Sequence, residues 1–138
     1  VPTTTDTLRA IPMFEGMSDR SIEAIDGLAT PIVFQPGEML VREGEPGDSF
    51  LIIVSGSASV TRGDATLRTL GPGDFLGEIS LLDGGPRTAT VTATAEIQGL
   101  IIDRAGFRRL MDDFPVVRLD IVTALTQRLR TRAPEITD

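Results

Sequence analysis

Glu78 and Arg87 stand nine positions apart in the stretch GEISLLDGGPRTATV, residues 77–91. Between them lie an apolar run and a Gly-Gly-Pro stop, so the segment brings together a carboxylate, a guanidinium and several sparsely substituted backbone amides. Gly77-Glu78-Ile79-Ser80-Leu81-Leu82 has the length and boundaries of a single helical turn set in a β-rich region. The start of such a turn carries unpaired N–H groups and a positive dipole end, which suit an anion. Gly77 permits close approach to the backbone. Arg87 supplies a planar fork that matches phosphate oxygens two at a time. Glu78 accepts hydrogen bonds only, so it suits a hydroxyl donor such as a sugar 2′-OH and not a phosphate. The combination describes a sugar phosphate of low charge. Taken one at a time, the same residues also read as a turn with a solvated arginine and a surface glutamate.

The composition narrows the chemistry further. There are 138 residues, enough for one domain that buries roughly two-thirds of its unfolded surface. The chain has no cysteine and no histidine, and all 13 basic residues are arginine. Disulfides and thiolate chemistry are therefore absent, as are the commonest metal ligand and the commonest general acid-base group. Arginine does not deprotonate at working pH. Binding is the expected activity and catalysis is not: no catalytic residue, no metal site and no cofactor are expected. A cupin-like metalloenzyme is disfavoured because its metal rests on histidines. With 20 acidic residues the net charge is −7 and no basic block occurs, so no nucleic-acid contact is expected from this segment. No apolar run reaches the ~20 residues of a membrane span, so no membrane contact is expected either. The absence of cysteine fits a cytoplasmic setting. Because the chain opens Val1-Pro2, it reads as a piece of a larger protein.

The elements that must position these residues follow from periodicity. The spacing predicts a helical segment over 4–30, with Ser18 as an N-cap, Asp19 in the first turn, Ile22, Ile25 and Leu28 on one face, and Pro31 as the stop. From 32 to 102 short β-rich runs alternate with turn clusters every eight to twelve residues, the pattern of an antiparallel sandwich or barrel. FLIIV, residues 50–54, is apolar on both faces and should be a central strand. Glycines 37, 44, 47, 56, 63, 71 and 73 are expected at positive φ in turns. Helical spacing returns over 104–132, with Asp103 as an N-cap, Pro115 opening the last helix, and a stripe of Leu119, Val122, Leu125 and Leu129. The stripe reads equally well as packing against the sandwich. The expected fold is mainly β: a jelly roll with N-terminal and C-terminal helices, forming one domain over 1–138.

FLGEISLLDGGPRTATVTA, residues 75–93, resembles the phosphate-binding cassette of cyclic-nucleotide-binding domains. That family includes the protein kinase A regulatory subunit, catabolite activator proteins and cyclic-nucleotide-gated channels. The EGEPGD turn, FLIIVSGSASV and GPGDFLGE fall in the family's order, so the resemblance covers nearly the whole chain. It implies a ligand, cAMP or cGMP, and a cassette over 75–91. Arg87 would pair with the exocyclic phosphate oxygen and Glu78 would accept from the ribose 2′-OH. The Gly77-Glu78-Ile79-Ser80 run, with amides at Thr88 or Ala89, would complete the cradle. Val60 would line the base side, and Leu125, Leu129 or residues near Thr131 would close over the base. A hydroxyl at position 88 permits guanine without requiring it, and cAMP is the expected ligand. Family members usually place an aromatic directly before the Gly-Glu pair, whereas here Leu76 follows Phe75. The implied role is a regulatory sensor acting on an attached effector, with homo-oligomerisation through the full-length protein as one possibility. The alternative is a cassette that no longer binds and serves only structure or dimerisation.

Overall fold

The computed structural model describes residues 8–9, 17–76, 86–115, 118–119, 122–123 and 126. Helix α1 (Asp19–Leu28) begins where expected: the Ser18 hydroxyl accepts from the Ser21 N–H at 3.2 Å, satisfying one of the first-turn donors. Ser21, Ile22 and Ile25 are its buried positions, with Ile22 and Ile25 the apolar pair spaced to one face. The helix ends three residues before Pro31, which lies inside the first strand. That strand is at a sheet edge, where the missing N–H of proline breaks no ladder.

Among the described residues eight strands follow: β1 (Thr30–Phe34), β2 (Met39–Val41), β3 (Ser49–Ser55), β4 (Ala58–Arg62), β5 (Ala65–Leu70), β6 (Phe75–Leu76), β7 (Thr90–Ala93) and β8 (Ile97–Asp103). They form two four-stranded sheets of antiparallel pairs, ordered β1-β8-β3-β6 and β2-β7-β4-β5. This is the expected jelly-roll-like double sheet.

Strand β3 lies between β8 and β6 and is buried on both faces, as its unbroken apolar run requires. Its alternation splits the core in two. Leu51 and Ile53 face the second sheet, in a cluster with Val60, Leu70, Leu76, Val91 and Ile97. Phe50 and Ile52 face the helices, with Ile22, Ile25, Leu100, Phe107 and Leu110. The Phe50 ring lies 5.6 Å from Phe75 and 5.3 Å from Phe107, centroid to centroid. Each fully buried aliphatic here contributes on the order of 1.5–3 kcal/mol from area alone. The same alternation explains the unusual Phe75-Leu76 order. Phe75 points to the helical side and Leu76 into the inter-sheet core, so Leu76 occupies the inner position directly before Gly77.

Helix α2 (Arg104–Asp113) starts at Asp103, whose carboxylate accepts from the Gly106 N–H at 2.7 Å. Phe107 and Leu110 pack it against β3, β8 and α1. Residues 115, 118, 119, 122, 123 and 126 are also helical. Leu119 is 65% exposed and Val122 48%, so at these two positions the apolar stripe does not pack on the sandwich. Leu125, Leu129 and Thr131 lie outside the described residues. Positive φ occurs at Gly37, Gly44, Gly56, Gly63 and Gly73 but not at Gly47 or Gly71, which correct the expectation. Gly47 is instead buried, with its carbonyl oxygen accepting from Nη2 of Arg104.

Candidate functional site

Arg87 is only 7% exposed, an unusual setting for an arginine in a turn and opposite to the solvated reading. It is seated there by the loop between β2 and β3. Pro46 bridges Pro86, the Arg87 N–H donates to the Glu45 carbonyl at 2.8 Å, and the Gly44 N–H donates to the Arg87 carbonyl at 2.9 Å. The loop can present these groups because Gly44, at φ +85°, is the third residue of a turn closed by the Glu45 N–H on the Arg42 carbonyl. The guanidinium is oriented as well. Nη2 donates to the Ser49 carbonyl oxygen at 3.0 Å and to its hydroxyl at 3.2 Å. A charged fork is thus held by neutral acceptors at the start of β3. These two bonds fix the direction of the guanidinium at that point.

Thr88 and Ala89 continue from Arg87 into β7. Thr88 is exposed, its carbonyl oxygen accepting from Nε of Arg62 at 3.0 Å. Ala89 packs against the inter-sheet cluster that contains Val60. Val60 is buried on β4, opposite Val91 of β7 and Arg68 of β5. The fold therefore brings Arg87, Thr88, Ala89 and Val60 to one end of the second sheet. Gly77, Glu78, Ile79 and Ser80 lie outside the described residues. Leu76, immediately before them, sits opposite Leu51, two residues along β3 from the Ser49 to which Arg87 is bonded.

Several contributors escape a reading of the sequence. The Gly44-Glu45 pair read only as part of a turn and Ser49 drew no reading, and only the tertiary contact makes them the seat of Arg87. Arg68 shares a sheet face with Val60, because directly opposed residues point the same way, and it is half-buried. The signal was present: in ATLRTL the alternation that buries Leu70 also turns Arg68 inward.

Comparison with known proteins agrees with this geometry. The family model described as "Cyclic nucleotide-binding domain" matches residues 31–114. The chain is 34% identical over 131 residues to the CRP-like cAMP-activated global transcriptional regulator of Mycobacterium tuberculosis, covering 91% of this chain and 58% of that protein. Two solved structures are similar. One is the Thermus thermophilus Catabolite Activator Protein, with TM-score 0.80, 27% identity, and 91% of this chain and 62% of that chain covered. The other is the regulatory domain of Toxoplasma gondii PKA in co-crystal with cAMP, with TM-score 0.76, 27% identity, and 89% and 49% covered. The proteins matched are regulators, and this chain spans little more than half the length of the mycobacterial one. A buried arginine seated at the end of a two-sheet roll, with a family match over most of both sheets, leads to one conclusion: the chain belongs to the cyclic nucleotide-binding domain family.

Proposed function

We propose that this chain is the sensor domain of a larger regulator, binding a cyclic nucleotide with cAMP favoured over cGMP. The observation that carries the reading is Arg87: buried, positively charged, hydrogen-bonded to Ser49, and anchored by its own backbone to the 44–46 loop. Its fork takes the cyclic phosphate, Glu78 takes the ribose 2′-OH, and the amides of the Gly77-Glu78-Ile79-Ser80 run and of Thr88 or Ala89 complete the cradle. Val60 and its neighbours receive the base. The cAMP carried by the Toxoplasma neighbour supports the choice of ligand.

The output is a shift of the C-terminal helical segment, with residues near Leu125, Leu129 and Thr131 closing over the base. A ligand shifts such an equilibrium only by its differential contacts with the two states, typically ~1–3 kcal/mol. The 44–49 loop supports this route, because it touches Arg87 at Ser49 and touches Arg104, the first residue of α2, at Gly47. The effector lies in another domain, the whole protein acts in the cytoplasm, and any homo-oligomer forms through the full-length chain.

A second reading, cGMP as the ligand, draws on Arg68. Its guanidinium sits on the face of Val60, and arginine donors match the O6 and N7 acceptors of guanine, where adenine offers a donor at N6. Separate calorimetric titrations with cAMP and cGMP, and AMP as control, decide the matter. Tighter binding of cAMP with weak AMP binding is expected. Preference for cGMP would replace the first reading with the second, and no binding of either would make the cassette a structural element.

A further inference from the structure

Thr88 is held on both sides. The peptide before it is anchored by the Gly44 N–H on the Arg87 carbonyl at 2.9 Å, and the peptide after it by Arg62 Nε on the Thr88 carbonyl at 3.0 Å. Each peptide unit is planar, so anchoring its carbonyl restrains the orientation of the whole unit, including the N–H on the far side. The rotations between two successive units are φ and ψ of the residue they share. With both units held, the Thr88 N–H and its Cα–Cβ bond have one direction, and the β-branched side chain adds its own stiffness at χ1.

Arg62 is itself bracketed. It is the last residue of β4, directly after Thr61, which lies opposite Thr90 of β7. Glu43 spans the same corner: its N–H donates to the Thr90 hydroxyl at 3.0 Å and its carboxylate accepts from the Gly63 N–H at 3.1 Å. By strand alternation Arg62 shares a face with Val60, two residues earlier. Thr88, meanwhile, is exposed. A solvent-exposed threonine whose two flanking peptides are tied down is preset for something arriving from solvent, since no packing requires it.

We infer that Arg62 is a positioning residue that presets Thr88 to read the purine, acting through the Thr88 backbone and without contacting the base. The inference rests on the cyclic-nucleotide reading above. Its recognition chemistry is a hydroxyl of fixed direction facing an exocyclic amino group of a guanine, which adenine lacks at that position. Arg62 therefore governs the ratio of cGMP to cAMP affinity, and overall affinity less.

The test is calorimetry with cAMP and with cGMP on the full chain as wild type, Arg62→Ala, Arg62→Lys, Thr88→Ala and the Arg62→Ala/Thr88→Ala double variant, with thermal unfolding of each. Arg62→Ala is expected to weaken cGMP about tenfold, the scale of one hydrogen bond, and cAMP by less than about threefold. Arg62→Lys keeps a donor and restores most of the loss. In the Thr88→Ala background, adding Arg62→Ala leaves the cGMP:cAMP ratio unchanged, as two residues acting as one unit require. Equal loss on both nucleotides would overturn the inference, because general loosening of the site gives that result. So would no change in either, or the same change in ratio with Thr88 already removed. A wild-type chain that binds neither nucleotide removes the sensor reading and this inference together, whereas normal wild-type binding with an indifferent Arg62→Ala removes only the role of Arg62.

Discussion

Arg87 and Ser49 stand 38 residues apart and are joined by two hydrogen bonds from one guanidinium nitrogen, to the Ser49 carbonyl oxygen at 3.0 Å and to its hydroxyl at 3.2 Å. The contact aims a buried cation that the proposed site uses to hold the cyclic phosphate. Arg87→Ala is therefore expected to weaken cyclic-nucleotide binding by ~2–5 kcal/mol, the scale for removing one partner of a desolvated charge pair. It should also lower stability by about 1 kcal/mol through the lost Ser49 bonds. Calorimetry and thermal unfolding separate the two effects, and an Arg87→Ala chain that binds cAMP like the wild type sinks the site assignment.

The role proposed for Glu78 is narrower. Glu78→Ala should reduce discrimination between cAMP and its 2′-deoxy analogue, by ~1.5–3 kcal/mol for a hydrogen bond to a charged acceptor. Paired titrations with the two ligands give the difference directly. If the wild type binds both equally, the 2′-OH role of Glu78 is lost.

Gly56 and Gly37 make a controlled comparison of backbone space. Both have positive φ, at +98° and +90°, but a Cβ on Gly56 would lie 2.2 Å from the Glu96 carbonyl oxygen, whereas one on Gly37 meets nothing within 4 Å. Gly37→Ala should cost the ~1–2 kcal/mol of a left-handed alanine. Gly56→Ala must in addition push two backbone segments apart and should unfold at clearly lower denaturant or temperature. Equal unfolding midpoints would contradict the close approach.

Phe107 joins α2 to the β roll through its ring contact with Phe50. Phe107→Ala should destabilise by ~3–5 kcal/mol, the range for a buried aromatic, while the exposed neighbour Arg108→Ala stays within about 0.5 kcal/mol. Urea melts of both variants measure the contrast. Because α2 also touches the 44–49 loop through Arg104 and Gly47, the Phe107 variant tests how far the helix can loosen before the loop does.

Local signals carried much of this structure. Ser18 and Asp103 mark their helices because each offers a short side-chain acceptor before an apolar stripe, and both cap as expected. FLIIV reads as central because a strand with no polar face must be covered twice, and it is. Pro31 misled in part: it signalled the end of helix, but an edge strand tolerates a proline as well as a loop does. Gly47 misled for a related reason. Its neighbours Pro46 and Asp48 suggest a left-handed turn, yet the positive φ falls at Gly44, and Gly47 is buried with its carbonyl oxygen accepting from Arg104. The stripe through Leu119 and Val122 shows a limit of periodicity, which reports that a face is apolar and not what covers it.

By itself the sequence determined the chemistry available to this protein. Without histidine, cysteine or lysine, its repertoire reduces to carboxylates, guanidinium groups, hydroxyls and backbone amides, and their order in residues 77–91 pointed to a sugar phosphate. The order of strand and turn signals determined the roll as well, because alternation and capping are properties of neighbouring residues. Only the tertiary structure decided that, among the described residues, Arg87 is the buried cation, what aims it, and which arginine shares a sheet face with Val60. Ser49, Gly44 and Arg62 reach Arg87 and Thr88 across tens of residues, a pairing no short window encodes. The physical reason is that a guanidinium becomes a selective phosphate ligand only when burial strips its water and fixed dipoles orient it, and both depend on how distant segments pack together.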